Sequence, residues 1–131
     1  MNTIAARTAA NWRDWLAANC QSGTEVWLVI QHKDSGTPSV RYDEAIEQAL
    51  CFGWIDSLAR KHDADSFVLR FTPRRPRSGW SKVNRRRAER MTELGLMTEH
   101  GQAMIDLAKA RGGWPALKFR QNDMGASRRR S

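Results

Sequence analysis

The sequence predicts a small α+β domain in which helices pack on a mostly antiparallel three-stranded sheet, in the order α-β-α-β-β-α-α. Four stretches repeat apolar residues at helical spacing, and three short runs are rich in β-branched and aromatic residues. The two later runs are separated only by a turn, so they pair as a hairpin and set an antiparallel sheet rather than a wound parallel one. The 131 residues, 40% of them hydrophobic and six of them Trp, suffice for one core without disulfides or metals.

Each element follows from its residues. Thr8 to Asn19 places Trp12, Trp15 and Leu16 at helical spacing before the stop Cys20-Gln21-Ser22-Gly23. Glu25 to Lys33 reads as a strand whose centre, Val26 to Ile30, is apolar enough to be covered on both faces. YDEAIEQALCFG puts Tyr42, Ala45, Ile46, Ala49 and Leu50 on one helical stripe, with Asp43 and Glu44 near its positive end and Gly53 closing it. Trp54 to Lys61 and Ser66 to Thr72 flank the turn His62-Asp63-Ala64-Asp65, with Phe67, Leu69 and Phe71 sharing one strand face. Pro73 and Pro76 end the pairing. Ser81 is a good cap for a third helix, Lys82 to about Leu94, with Val83, Arg87, Met91 and Leu94 on one side. Thr98 can cap a fourth helix, reaching about Arg111, that turns Met104, Leu107 and Ala108 inward. One domain is expected over residues 1–120, with a disordered basic tail over 121–131.

Composition narrows the function classes. No apolar run approaches the roughly 20 residues of a membrane span. The N-terminus lacks the basic flank and apolar stretch of a secretory signal, so a cytoplasmic location is expected. Two cysteines far apart, Cys20 and Cys51, form neither a disulfide framework nor a CxxC motif, and Cys51 reads as a small buried hydrophobe. His32, His62 and His100 are dispersed, and His62 to Asp65 is explained by a turn, so neither a metal nor a cofactor is expected.

The charge is concentrated. Nine basic residues stand against Glu89 alone between Arg70 and Arg90, while the remaining 13 basic and 13 acidic residues balance. The whole excess of +8 therefore lies in that segment, which is an electrostatic footprint. Its loop is the best candidate site. Arg70 leaves a strand end, Arg74, Arg75 and Arg77 ring the loop, and Ser81 and Asn84 line a helix start. Guanidinium groups beside free helix amides suit a carboxylate or phosphate, and Trp80 offers a stacking face. Asp56, sharing a strand face with Trp54, is placed to orient Arg70 across the hairpin. The competing explanation is structural, with arginines paired to Asp56, Glu44 and Glu47 and Trp80 stapling the helix.

CFGWIDS (Cys51 to Ser57) and RFTPRRPRSGWSKVN (Arg70 to Asn84), with VWLV, YDEAIEQAL and AERMTELGLMTEHG, resemble the YdeI/OmpD-associated family, also called bacteriocin-protection proteins. The resemblance covers about Trp12 to Trp114 and implies a role in protection against bacteriocins or antimicrobial peptides. It implies no reaction and no cofactor. The residues favour a binding module for a small anionic ligand or an acidic protein. A nucleic-acid partner held by Lys82, Arg85, Arg86, Arg87, Arg90 and the tail arginines Arg128 to Arg130 is the alternative. A further alternative is an enzyme acting on an anionic metabolite through Asp56, Cys51 or His62, although no complete catalytic constellation is present.

Overall fold

A computed structural model describes residues 2–116. The elements are β1 (Thr3–Ala5), α1 (Ala9–Asn19), β2 (Val26–Gln31), α2 (Tyr42–Cys51), β3 (Trp54–Lys61), β4 (Ser66–Pro73), α3 (Lys82–Glu93) and α4 (Glu99–Ala110), with a 3-10 turn at Lys33–Ser35. The fold is α+β, but the sheet has four strands in the order β1-β2-β4-β3 and is mixed. The added strand is β1, which pairs parallel to β2 from Thr3↔Trp27 to Ala5↔Val29, with α1 as the crossover between them. Three residues, none of them fully buried, carry no periodicity, so β1 is visible only through its pairing. The tail 121–131 lies outside the described residues.

The two faces of the sheet differ. Val26, Leu28, Ile30, Leu69 and Phe71 join Trp12, Leu16, Ile46, Leu50, Ala88 and Ile105 in the main core beneath the helices. On the other face Trp27, Val29 and Val68 form a small cluster of their own, and the Arg60 guanidinium lies 5.7 Å above the Trp27 ring. Trp12 donates its indole N–H to Ala45 O (2.9 Å) and Trp54 to Cys20 O (3.1 Å), so both large rings are buried without an orphaned donor.

Of the two caps expected from the sequence, Ser81 forms and Thr98 does not, because the Thr98 hydroxyl donates to Cys51 O and leaves α4 without a side-chain cap. Thr8 Oγ1 accepts from Asn11 N at the start of α1, and Ser81 Oγ from Asn84 N at the start of α3. Two faces are rotated from expectation. On α3 the buried residues are Ala88 and Met91, whereas Val83 and Leu94 are exposed. On α4 they are Gly101, Ile105 and Ala108, with Leu107 facing solvent. Both helices pack through small residues, which a count of large apolar side chains overlooks.

The corner where α2 becomes β3 is the tightest part of the structure. Cys51 O, left without a helical partner, accepts from both Thr98 N (3.1 Å) and Thr98 Oγ1. Gly53 holds φ +78°, closing α2 in the left-handed region. A Cβ on Gly101 would stand 2.5 Å from both Leu50 O and Cys51 O, so α4 approaches the end of α2 as closely as only glycine permits. Gly101→Ala is accordingly expected to destabilise the fold by about 1–3 kcal/mol. Urea denaturation checks this, and an unchanged midpoint would contradict the α2–α4 contact.

Candidate functional site: an arginine cleft at the end of β4

The fold sorts the nine cations of this 21-residue segment. On α3, Arg87 donates to Asp43 Oδ1 (3.1 Å) and to Asn84 Oδ1 (2.9 Å), and Arg90 donates to Glu47 Oε2 (2.5 Å). These pairs tie α3 to the acidic face of α2. Arg85 holds Glu89 one turn on (3.2 Å) and donates to Pro115 O. The ion pairs are partly exposed and each contributes at most about 1 kcal/mol, so they align the helices more than they stabilise them. Arg75, Arg77, Lys82 and Arg86 are exposed and make no ion pair among the described residues.

Arg70 does not meet Asp56. The hairpin register sets Asp56 opposite Phe71, and a bulge then gives β3 one extra residue between Asp56 and Ala59. Neighbours on a strand face opposite ways, so Arg70 points away from Asp56. In the β2–β4 pair Arg70 lies opposite Trp27, which brings Glu25 into diagonal reach on the same face. The Arg70 Nε–H donates to Glu25 Oε2, and Nη1 reaches Ser57 Oγ at 3.2 Å. Glu25 is the partner that the sequence reading missed, because identifying it requires the strand register.

Arg74 is the unusual residue. Its side chain is buried, 5% exposed, and its guanidinium carbon lies 4.0 Å from the centre of the Trp80 ring. Nη2 donates to Gly79 O (2.7 Å), while the backbone N–H donates to Gly53 O (2.8 Å), anchoring the loop on the α2–β3 corner. No carboxylate among the described residues comes within ion-pair distance of it. Loss of hydration, reinforced by the nearby positive charge of Arg111, pushes its pKa down to about 10, and the charge of Asp56 opposes the shift. Asp56 therefore acts on Arg74 rather than on Arg70.

The loop is framed by its own turn and by α4. Ser78 N donates to Arg75 O (2.9 Å), and Ser78 Oγ accepts from Arg75 N (3.0 Å). Arg111, capping α4, donates to Pro76 O (3.2 Å) and Ser78 O (2.8 Å). Trp80 meets Trp114 edge-on at 5.0 Å, and Arg85 and Lys109 lie 5.5 and 5.4 Å from the Trp114 ring. Arg111 and Trp114 are the other contributors that the sequence did not reveal, since both lie some 30 residues downstream of the loop they support.

Arg70, Arg74 and Arg75 come together on one cleft of about 400 Å3, with Thr24, Thr72, Pro73 and Pro76 completing its wall. The other candidates lie elsewhere. Arg77 is exposed beyond the turn, Trp80 forms the floor under Arg74, and Ser81 and Asn84 are engaged in capping and in holding Arg87. Trp54 is in the core, edge-on to Trp15. A second groove of about 460 Å3 between α3 and α4, lined by Glu89, Glu93, Lys109 and Trp114 among others, includes none of the loop arginines.

The groups considered for catalysis do not converge. Cys51 is fully buried. His62 is bonded to Ser66 Oγ in the hairpin turn (3.0 Å), six residues along β3 from Asp56, and no hydrogen bond joins any two of the three. Among the described residues no three His, Cys, Asp or Glu side chains are grouped to hold a metal ion, and no helix is long and apolar enough to cross a membrane.

Residues 4–104 match the family model of a domain of unknown function, DUF8412, and the chain belongs to that family. No curated protein and no solved structure matches it. The matched segment contains Arg70, Arg74, Arg75 and Trp80, whereas Arg111 and Trp114 lie beyond it.

Two measurements check this geometry. Arg74→Met, which keeps length and removes charge, is expected to change stability by no more than about 1 kcal/mol, against the 3–5 lost when one partner of a buried ion pair is removed. Unfolding restores the ordinary, higher pKa of Arg74, so over a window that opens at about pH 10 the unfolded chain binds the extra proton. This group's unfavourable contribution is thus fully present at neutral pH and is relieved as pH rises through that window. Burial also pushes the Cys51 thiol up, so iodoacetamide at pH 8 should leave Cys51 unmodified in the native protein and alkylate it in urea. Fast native labelling would refute the buried placement.

Proposed function

We propose that this DUF8412 member is a binding module that holds an anionic ligand, or an acidic group of a protein partner, in the cleft of Arg70, Arg74 and Arg75. The observation that carries the reading is Arg74, a buried guanidinium with no carboxylate at ion-pair distance among the described residues. A buried cation without a counter-charge costs free energy that an arriving anion recovers, and Arg111 adds to the deficit. The cleft, about 400 Å3, is within the usual range for small-ligand sites. The stack on Trp80 and the bond to Gly79 O fix Arg74 before any ligand arrives, which lowers the ordering cost of binding.

The role in protection against bacteriocins or antimicrobial peptides, implied by the resemblance to the YdeI/OmpD-associated family, belongs to the same proposal. Like charge disfavours direct capture of cationic peptides by this cleft, so such protection would run through its anionic ligand.

Nucleic acid is the second reading, supported by Arg75, Arg77, Lys82 and Arg86, which are exposed and make no ion pair among the described residues. Arg85, Arg87 and Arg90, on which a basic helical face would also draw, are committed to Glu89, Asp43 and Glu47. From about four contacts a single strand would show a salt slope of about −3.

Isothermal titration at low salt with phosphate, nucleotides and dicarboxylates tests the module. At least one should bind the parent protein and bind Arg74→Met at least about tenfold more weakly. Equal heats for the two proteins would remove the proposal. Fluorescence anisotropy of a labelled oligonucleotide that stays flat from low salt upward would remove the second reading.

A further inference from the structure

Resting on the reading of this cleft as an anion site, we propose that its ligand presents a doubly charged phosphate group, whether inorganic phosphate or a phosphate monoester, rather than a carboxylate. Charge matching is the first ground. Among the described residues, the charged groups on the cleft or near its arginines are Arg70, Arg74 and Arg75 on its wall, Arg111 from the end of α4, Glu25 before β2 and Asp56 on β3. Arg70 is satisfied by Glu25. Of the other three guanidiniums none makes an ion pair among the described residues; the charge of Asp56 acts on Arg74 from beyond ion-pair distance, and Arg111 donates to the carbonyls of Pro76 and Ser78. Four cations against two anions leave an excess of two, which a dianion balances and a monocarboxylate does not.

Donor count is the second ground. The wall consists of Thr24, Arg70, Thr72, Pro73, Arg74, Arg75 and Pro76, with no Asp, Glu, Asn, Gln or His among them. Its side chains offer N–H and O–H donors, and much of that capacity is uncommitted. Arg74 has given only Nη2 to Gly79 O, and Arg70 has given Nε and Nη1 to Glu25 and Ser57. The backbone amides of Arg74 and Arg75 are already used by Gly53 O and Ser78 Oγ, so recognition falls to side chains. A wall of guanidiniums and threonine hydroxyls, drawn from a strand end and the loop after it, suits a tetrahedral group with acceptor oxygens in three directions. A planar carboxylate has only two oxygens and is satisfied by one guanidinium fork. A singly protonated phosphate carries one charge fewer and leaves part of the positive excess unbalanced.

The test is calorimetric titration of the full chain at fixed low salt with phenyl phosphate, inorganic phosphate, sulfate and succinate, at pH 8 and pH 5. A phosphate monoester loses its second charge near pH 6, so its dianion falls to roughly one-tenth at pH 5. Sulfate is a dianion at both values and reports any change in the protein itself. Phenyl phosphate is expected to bind about tenfold more weakly at pH 5 while sulfate is unchanged, and at pH 8 to bind at least about tenfold more tightly than succinate. Arg75→Gln, at an exposed position, should weaken phosphate binding without loss of fold, and Arg74→Met should weaken it further. Succinate binding as tightly as phosphate at pH 8, or phosphate affinity that does not fall at pH 5, overturns this inference and leaves the anion site standing. Phosphate binding unaltered in both variants places the ion elsewhere and overturns it as well. Failure of all four anions to bind overturns both this inference and the reading on which it rests.

Discussion

The placement of Arg74 against Trp80 is the constraint around which the loop between β4 and α3 is arranged. A guanidinium held 4.0 Å above an indole and 5% exposed cannot recover hydration by moving, because its own backbone is bonded to Gly53 O. Its neighbours must therefore come to it. Trp80 is itself wedged against Trp114, and the carbonyls of Pro76 and Ser78 are gripped by Arg111. The loop between β4 and α3, which by composition alone could have been loose, is a braced arch with one cation inside it. An arginine retained merely for solubility would instead extend its head into water.

Local structure was largely legible in the sequence and long-range pairing was not. The Ser81 cap, the helix in YDEAIEQAL and the hairpin across His62 to Asp65 rest on contacts only a few residues apart. Strand β1 escaped notice because three residues carry no period. The bulge after Asp56 escaped because alternation assumes that no residue is inserted, and its presence is what separates Asp56 from Arg70. On α3 and α4 the large apolar residues misled, since Ala88 and Gly101 provide close approach that Val83 and Leu107 cannot.

The site followed the same division. That the cluster of arginines marked a region of interest was evident from charge alone, and Arg70, Arg74 and Arg75 do share a cleft. Which charges were already satisfied could not be read, because Glu25, Asp43 and Glu47 lie 45, 44 and 43 residues from the arginines they hold. Tertiary structure thus divides a uniform-looking basic block into helical residues that bind α2, loop residues that line a cleft, and a residual exposed set that sets the outer field.

The bonds from Arg111 to the loop carbonyls join the cleft to the far end of a helix whose beginning is locked, through Gly101 and Thr98, onto α2. Helix ends are where native structure opens most easily. Release of the last turn of α4 would free the carbonyls of Pro76 and Ser78 and remove the positive neighbour of Arg74 in one motion. The cleft is in that sense a latch whose keeper is carried on another element, so that its shape and its field loosen together without any rearrangement of the sheet.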